Sequence, residues 1–182
     1  MPQLRALRWL AVPALVVPIG LVLFTGFGRD PRAIPSPLVG QPAPAFELVA
    51  LDGETIRSGD LRGRPYLLNF WASWCVPACV DEHPVLIGAV ERYADELAVV
   101  GVLYQDPPAD AATFLARYGD GGWPNLIDPR GALAIEYGVT GPPETYFVDA
   151  SGVVRDKHTG PMATADLDRR VAQLLATAGG GR

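Results

Sequence analysis

The stretch NFWASWCVPACVDEHPVL, Asn69 to Leu86, holds both cysteines of the chain, Cys75 and Cys79, with three residues between them. It overlaps "PYLLNFWA", a continuous apolar run of the kind expected of a strand buried on both faces. Beyond it Cys79, His83, Leu86, Val90 and Leu97 recur at roughly helical spacing, which predicts a long helix over 78–95, kinked at Pro84. A strand-to-helix junction therefore carries the pair, with Cys75 at the helix mouth. Unpaired N–H groups and the helix dipole favour an anion there, so Cys75 is suited to exist as thiolate. Pro77 fits the first turn, where its missing N–H would be unbonded anyway.

Two cysteines this close enclose almost no chain, so stapling the fold is a poor reason for them and thiol chemistry a better one. Dithiol exchange needs an attacking thiolate and a second thiol that resolves the mixed disulfide. On an ideal helix, Cα atoms three apart lie about 5 Å from each other and those four apart about 6.2 Å. Disulfides accept roughly 4.4–6.8 Å, so the longer spacing allows the bond while altering its strain.

The 182 residues are about half apolar and carry a net charge of −5, room for one domain and an N-terminal appendage. No basic run stands out, which argues against nucleic acid as a partner. Trp9 to Phe27 gives 19 residues without a charge, longer than a cleaved signal's apolar core. The expected layout is a cytoplasmic stub over 1–8, a transmembrane anchor over 9–27 and an extended proline-rich linker over 28–45. A folded domain over 46–178 and a disordered tail over 179–182 complete it. Arginines flank the anchor on both sides, so the short stub, rather than charge, favours an exported domain.

"AFELVALDGETIRS" predicts a hairpin turning at Asp52-Gly53, and "ELAVVGVLYQD" a second buried strand. Ala111, Phe114, Leu115 and Tyr118 form an amphipathic stripe. "PNLIDPRGALAIEYGV" suggests a short strand and helix, and "ETYFVDASGVVRDKHTG" a hairpin turning at Asp149–Gly152. Thr164 is expected to cap a last helix with Leu167, Val171 and Leu174 inward. Parallel strands joined by crossover helices, followed by an antiparallel pair, give an α/β sandwich with a mixed central sheet, preceded by one membrane helix.

With "NFWASWC" and "EHPVL", "YGVTGPPETYFVD", "KHTGP" and the linker "RDPRAIPSPLVGQPAPAF", the chain resembles the membrane-anchored thiol:disulfide interchange proteins of cytochrome c maturation, the DsbE/CcmG type of the thioredoxin superfamily. The resemblance implies a thioredoxin-like domain on the periplasmic side of a bacterial inner membrane. It implies a reductant that takes electrons from a membrane dithiol donor and reduces apocytochrome c, or a mixed disulfide with a maturation partner. By match of position Cys75 is the attacking thiolate, Cys79 the resolving thiol and Pro143 a cis-proline facing them. Pro142 and Pro143 meet the substrate, and Glu144 is an acidic group beside the dithiol; Trp74, next to Cys75, serves either surface packing or partner contact. The redox-active pair Cys75–Cys79 itself serves, with no separate cofactor or metal. The chain departs from the family pattern twice. An extra residue, most simply Ala78, falls between the cysteines, so either Cys75 is pushed outward or the first turn is re-wound. Pro142 offers a bound polypeptide a carbonyl but no N–H.

Other readings stay open. Copper-binding assembly factors of the Sco type carry a Cys-x-x-x-Cys pair with a distant histidine, and here only His83 and His158 could serve. A redox site spoiled by Ala78 would leave a non-catalytic holder of apocytochrome. A peroxidase is weaker still, because no Pro-x-x-x-Thr-x-x-Cys stretch surrounds Cys75.

Overall fold

The computed structural model describes residues 16–21 and 36–179. The expected stub, most of the anchor and the linker up to residue 35 lie outside the described residues, as do residues 180–182. Residues 16–21, inside the expected anchor, are helical. Among the described residues no helix is long and apolar enough to cross a membrane.

The domain opens with the hairpin β1 (Glu47–Val49) and β2 (Thr55–Arg57), turning at Gly53, whose φ of 91° suits a residue without Cβ. A five-stranded sheet follows, built from β3 (Tyr66–Trp71), β4 (Ala98–Leu103), β5 (Asn125–Ile127), β6 (Glu144–Val148) and β7 (Val154–Thr159). Its order is β5-β4-β3-β6-β7; β3, β4 and β5 are parallel, while β6 and β7 are antiparallel to their neighbours. The helices are α1 (Ala78–Arg92), α2 (Pro108–Tyr118), α3 (Ala132–Tyr137) and α4 (Thr164–Gly179). This is the expected α/β sandwich with a mixed central sheet.

Every residue of β3 is buried, because it is the central strand and both its faces are covered. Alternation sends Tyr66, Leu68 and Phe70 to one face, where they pack with Leu133 and Tyr137 of α3 and with Tyr146. On the other face Leu67 packs with Leu86 of α1 and Leu167, Val171 and Leu174 of α4. Trp71 joins Cys75, Cys79, Ala111 and Phe114 in a third cluster at the sheet's C-terminal end.

Three boundaries differ from expectation. α1 ends at Arg92 rather than 95, since the Glu96 and Leu97 N–H groups both donate to the Tyr93 carbonyl and turn the chain into β4. Thr164 is the first helical residue rather than the cap; the Leu167 N–H donates to the Ala163 carbonyl one position earlier. Ordered packing also begins before Phe46: Gly40 and Ala43 donate to the carbonyls of Val154 and Gly152.

Candidate active site

β3 runs out at Trp71, and Ala72 to Trp74 carry the chain to the cysteines. The Cys75 N–H donates back to the Ala72 carbonyl (3.2 Å), and the Cys75 carbonyl accepts the Cys79 N–H (2.8 Å). Cys75 and Cys79 form a disulfide with a Cα–Cα distance of 5.3 Å. That falls near the shorter of the two helical spacings, about 5 Å against about 6.2 Å. Of the two alternatives for the extra residue, the first turn is re-wound: regular helix begins only at Ala78, and Cys75 stays 7 % exposed instead of being pushed outward. Trp74 and Val76, on either side of Cys75, are well exposed, while both cysteines are buried.

Behind Cys79, one turn along α1, lies a carboxylate that the sequence analysis did not single out. Glu82 is buried, and its Oε2 accepts a hydrogen bond from Asn69 Nδ2 (3.0 Å), which also donates to Thr145 Oγ1 (2.9 Å). Its Oε1 has no hydrogen-bond partner among the described residues. Burial without a cation pushes its pKa up from 4.5 to about 7, against the opposing pull of the Asn69 side chain and the Met162 backbone. Cys79, Glu82, Asn69, Trp71 and His83 line one small cavity of about 10 Å³, the least that admits a single water. The arrangement places a carboxyl that holds or releases a proton near neutral pH on the same cavity that Cys79 lines. Two signals could have found it. Asn69 interrupts an apolar strand and so needs a polar partner, and Glu82 follows Cys79 by three residues on the same helix face.

The other expected site residues fall in two groups. Trp74 sits beside Cys75, its ring 6.3 Å from that of Tyr104. The Pro142–Pro143 peptide bond is cis; a second cis bond, Val76–Pro77, lies within the bridge between the cysteines. Pro143 is buried and its carbonyl accepts the Gly160 N–H (2.8 Å), while Pro142 is half-buried. Glu144 pairs with Phe70 across the β3–β6 ladder, and Phe70 belongs to the α3 face of the sheet, opposite Asn69 and Glu82. Its Oε1 accepts from the Thr140 N–H (3.0 Å) and hydroxyl (2.6 Å). Its Oε2 lies 2.7 Å from Lys157 Nζ, an ion pair rather than a well-angled hydrogen bond. Glu144 thus ties together the loop carrying Pro142 and Pro143.

His83 Nε2 lies 2.6 Å from the Gly119 carbonyl, its ring packed against Phe114 and Trp123, and burial lowers its pKa. His158 Nε2 lies 3.4 Å from the Pro161 carbonyl. A groove between the β1–β2 hairpin and α2 is lined by Ile56, Leu115 and Trp123 and by neither cysteine. Disulfide exchange requires a reachable sulfur rather than a deep pocket.

A redoxin family model matches residues 38–174. The chain is 40 % identical over 156 residues to the thiol:disulfide interchange protein DsbE of Pseudomonas fluorescens biotype C, covering 84 % of this chain and 85 % of that one. It is 37 % identical over 175 residues to the DsbE of Allochromatium vinosum, covering 92 % and 95 %. Among solved structures, a thiol:disulfide interchange protein of the thioredoxin family from Chlorobium tepidum TLS superposes with a TM-score of 0.67 at 29 % identity, over 81 % of this chain and 99 % of that one. The domain is therefore thioredoxin-like, and the chain belongs to the redoxin family and, within it, to the DsbE-type thiol:disulfide interchange proteins.

Proposed function

We propose that the chain is a thiol-disulfide oxidoreductase that reduces apocytochrome c cysteines, or a mixed disulfide on a maturation partner, during cytochrome c biogenesis. In the reduced protein the Cys75 thiolate attacks the substrate disulfide, and one substrate sulfur leaves as thiolate. Cys79 then gives its proton toward Glu82 and attacks the Cys75 sulfur. The Cys75–Cys79 bond forms, the bond from Cys75 to the substrate breaks, and two electrons have passed to the substrate. A membrane dithiol donor reopens the pair, and the reaction needs no cofactor or metal beyond it. Trp74, Pro142 and Pro143 form the substrate contact, with Pro142 giving up one main-chain hydrogen bond worth roughly 0.5–1.5 kcal/mol. The span over 9–27 anchors the chain in a bacterial inner membrane, and the domain faces the periplasm.

The observation that carries this reading is the Cys75–Cys79 disulfide, set beneath the exposed Trp74 and Val76, with a neighbouring Glu82 whose pKa lies near neutrality. Redox titration of the wild type beside Cys75→Ser and Cys79→Ser tests it. The wild type is expected to cycle between dithiol and disulfide and to reduce a Cys-x-x-Cys-His peptide disulfide. Cys79→Ser should stall as a mixed disulfide, and Cys75→Ser should be inert. Stoichiometric copper binding by the reduced protein, without cycling, would replace this reading with a metal-binding one.

A further inference from the structure

The loop from β4 to α2 touches the redox centre from outside at three points. The Ser73 N–H donates to Asp106 Oδ2 (2.6 Å) and the Ser73 hydroxyl to Asp106 Oδ1 (2.8 Å). The Trp74 indole N–H donates to the Gln105 carbonyl (3.2 Å). Ser73 and Trp74 immediately precede Cys75, so all three bonds act on the segment that delivers the attacking sulfur.

Two features mark this loop off from a plain connection. α2 starts two residues after Asp106, and no side chain caps its first turn, though aspartate is among the best caps. The Asp106 carboxylate instead reaches across to Ser73. Gln105 has a φ of 49° and, among the described residues, is the one non-glycine in the left-handed region. Such a conformation persists where surrounding contacts hold it, and here its carbonyl meets Trp74.

We propose that Asp106 is a positioning residue for disulfide exchange, fixing the strand-side end of the longer Cys75–Cys79 bridge. The inference rests on the dithiol reading above. α1 fixes the Cys79 end of the bridge. The Cys75 end is tied to α1 through the Cys75 carbonyl and the Cys79 N–H, and the carboxylate holding Ser73 restrains it from the strand side. Positioning of this kind matters unequally to the two chemical steps. Attack by Cys75 on an incoming disulfide needs only a thiolate that the partner can reach. In ring closure the Cys79 thiolate attacks the Cys75 sulfur, the Cys75–Cys79 bond forms, and the partner leaves as a thiolate that takes up a proton. Closure needs the two sulfurs in register, and its rate follows how often they are.

The test mixes the reduced full-length protein with oxidised glutathione, follows glutathione release, and detects the Cys75–glutathione adduct by intact mass. D106A is expected to slow closure by about tenfold or more, so that the adduct accumulates. In a C79S background, alkylation of Cys75 by iodoacetamide should stay within about twofold of the same background with Asp106 intact. S73A, which keeps the N–H bond, should slow closure less, and D106N should recover part of the rate. Closure in D106A within twofold of wild type would overturn the inference. So would equal slowing of closure and alkylation alongside a lowered melting midpoint, which marks a merely structural aspartate. A wild type that never releases glutathione removes the proposed function and the inference with it, whereas normal wild-type closure with an unaltered D106A removes only the inference.

Discussion

Two buried carboxylates stand on opposite faces of the same sheet, and their surroundings differ above all in the presence of a cation. Glu144, on the α3 face, has Lys157 Nζ 2.7 Å from one oxygen and two Thr140 donors on the other. Glu82, on the α1 face, has a neutral amide on one oxygen and nothing bonded to the other. A buried carboxylate given a cation is a cross-link, holding β6, β7 and the loop before β6 together. Without one, its charged form is penalised, and proton uptake and release move into the neutral range. Burial alone does not decide whether such a group serves structure or chemistry; the partner does.

Removing the cation is the most forceful way to break this contrast. Lys157→Met leaves Glu144 buried without its counter-charge, which is expected to destabilise the fold by about 3–5 kcal/mol. Urea unfolding measures it, and Glu144→Gln added to Lys157→Met should recover much of the loss. If Lys157→Met unfolds like wild type, Glu144 is no cross-link and the comparison fails.

Glu82→Gln probes the other side through pH. The folded pKa of Glu82, about 7, lies above its unfolded value near 4.5. Between those values the unfolded chain releases a proton that the folded protein keeps, so wild-type stability falls as pH rises through this window. The full loss, present above pH 7, is roughly 3 kcal/mol. Glutamine never ionises, so the variant should match wild type near pH 4 and exceed it at pH 8. Its ring closure should be slower and lose the rise through pH 7 that the wild type shows. Parallel stability profiles would mean that Glu82 titrates like an exposed acid.

Which of these features could be read in advance follows from how far apart the interacting residues lie in the chain. β3, α1 and α2 were legible because their apolar residues repeat at the period of a single element. The junction at Cys75 was legible for the same reason, being a strand end meeting a helix start. Asn69 and Glu82 carried a usable signal, a polar residue at an inward strand position directly after Leu67 and Leu68 being unusual, but pairing them needed the helix phase. Glu144 could not be assigned a face until the Phe70–Glu144 register was known, nor a partner until β7 brought Lys157 alongside. Asp106 lies 33 residues from Ser73, and no local pattern links the two. The re-wound turn was one of two alternatives, because spacing alone does not say which end of the bridge yields.

A smaller effect sharpens the account of Glu82. Asn69→Ala deletes the donor to Oε2 and leaves that oxygen in the cavity with less to stabilise its charge. The expected loss is about 1–3 kcal/mol, because a buried acceptor goes unpaired. The midpoint of the pH dependence of ring closure should also move upward, since the side chain that favours the anion is gone. A midpoint that stays in place would assign the proton to some group other than Glu82.

The least effect is expected where an ion pair of the same length lies in water. Arg57 Nη2 stands 2.8 Å from Glu47 Oε1 on the β1–β2 hairpin, with the two side chains 55 % and 60 % exposed. Solvent screens both charges, and each recovers its hydration when the other is removed. Arg57→Ala should therefore leave the urea midpoint unmoved at neutral pH and in high salt alike. A clear drop would show that contact distance, rather than burial, sets the strength of pairs in this protein. Lys157 would then lose its special standing, and the division of labour between Glu144 and Glu82 would need another cause.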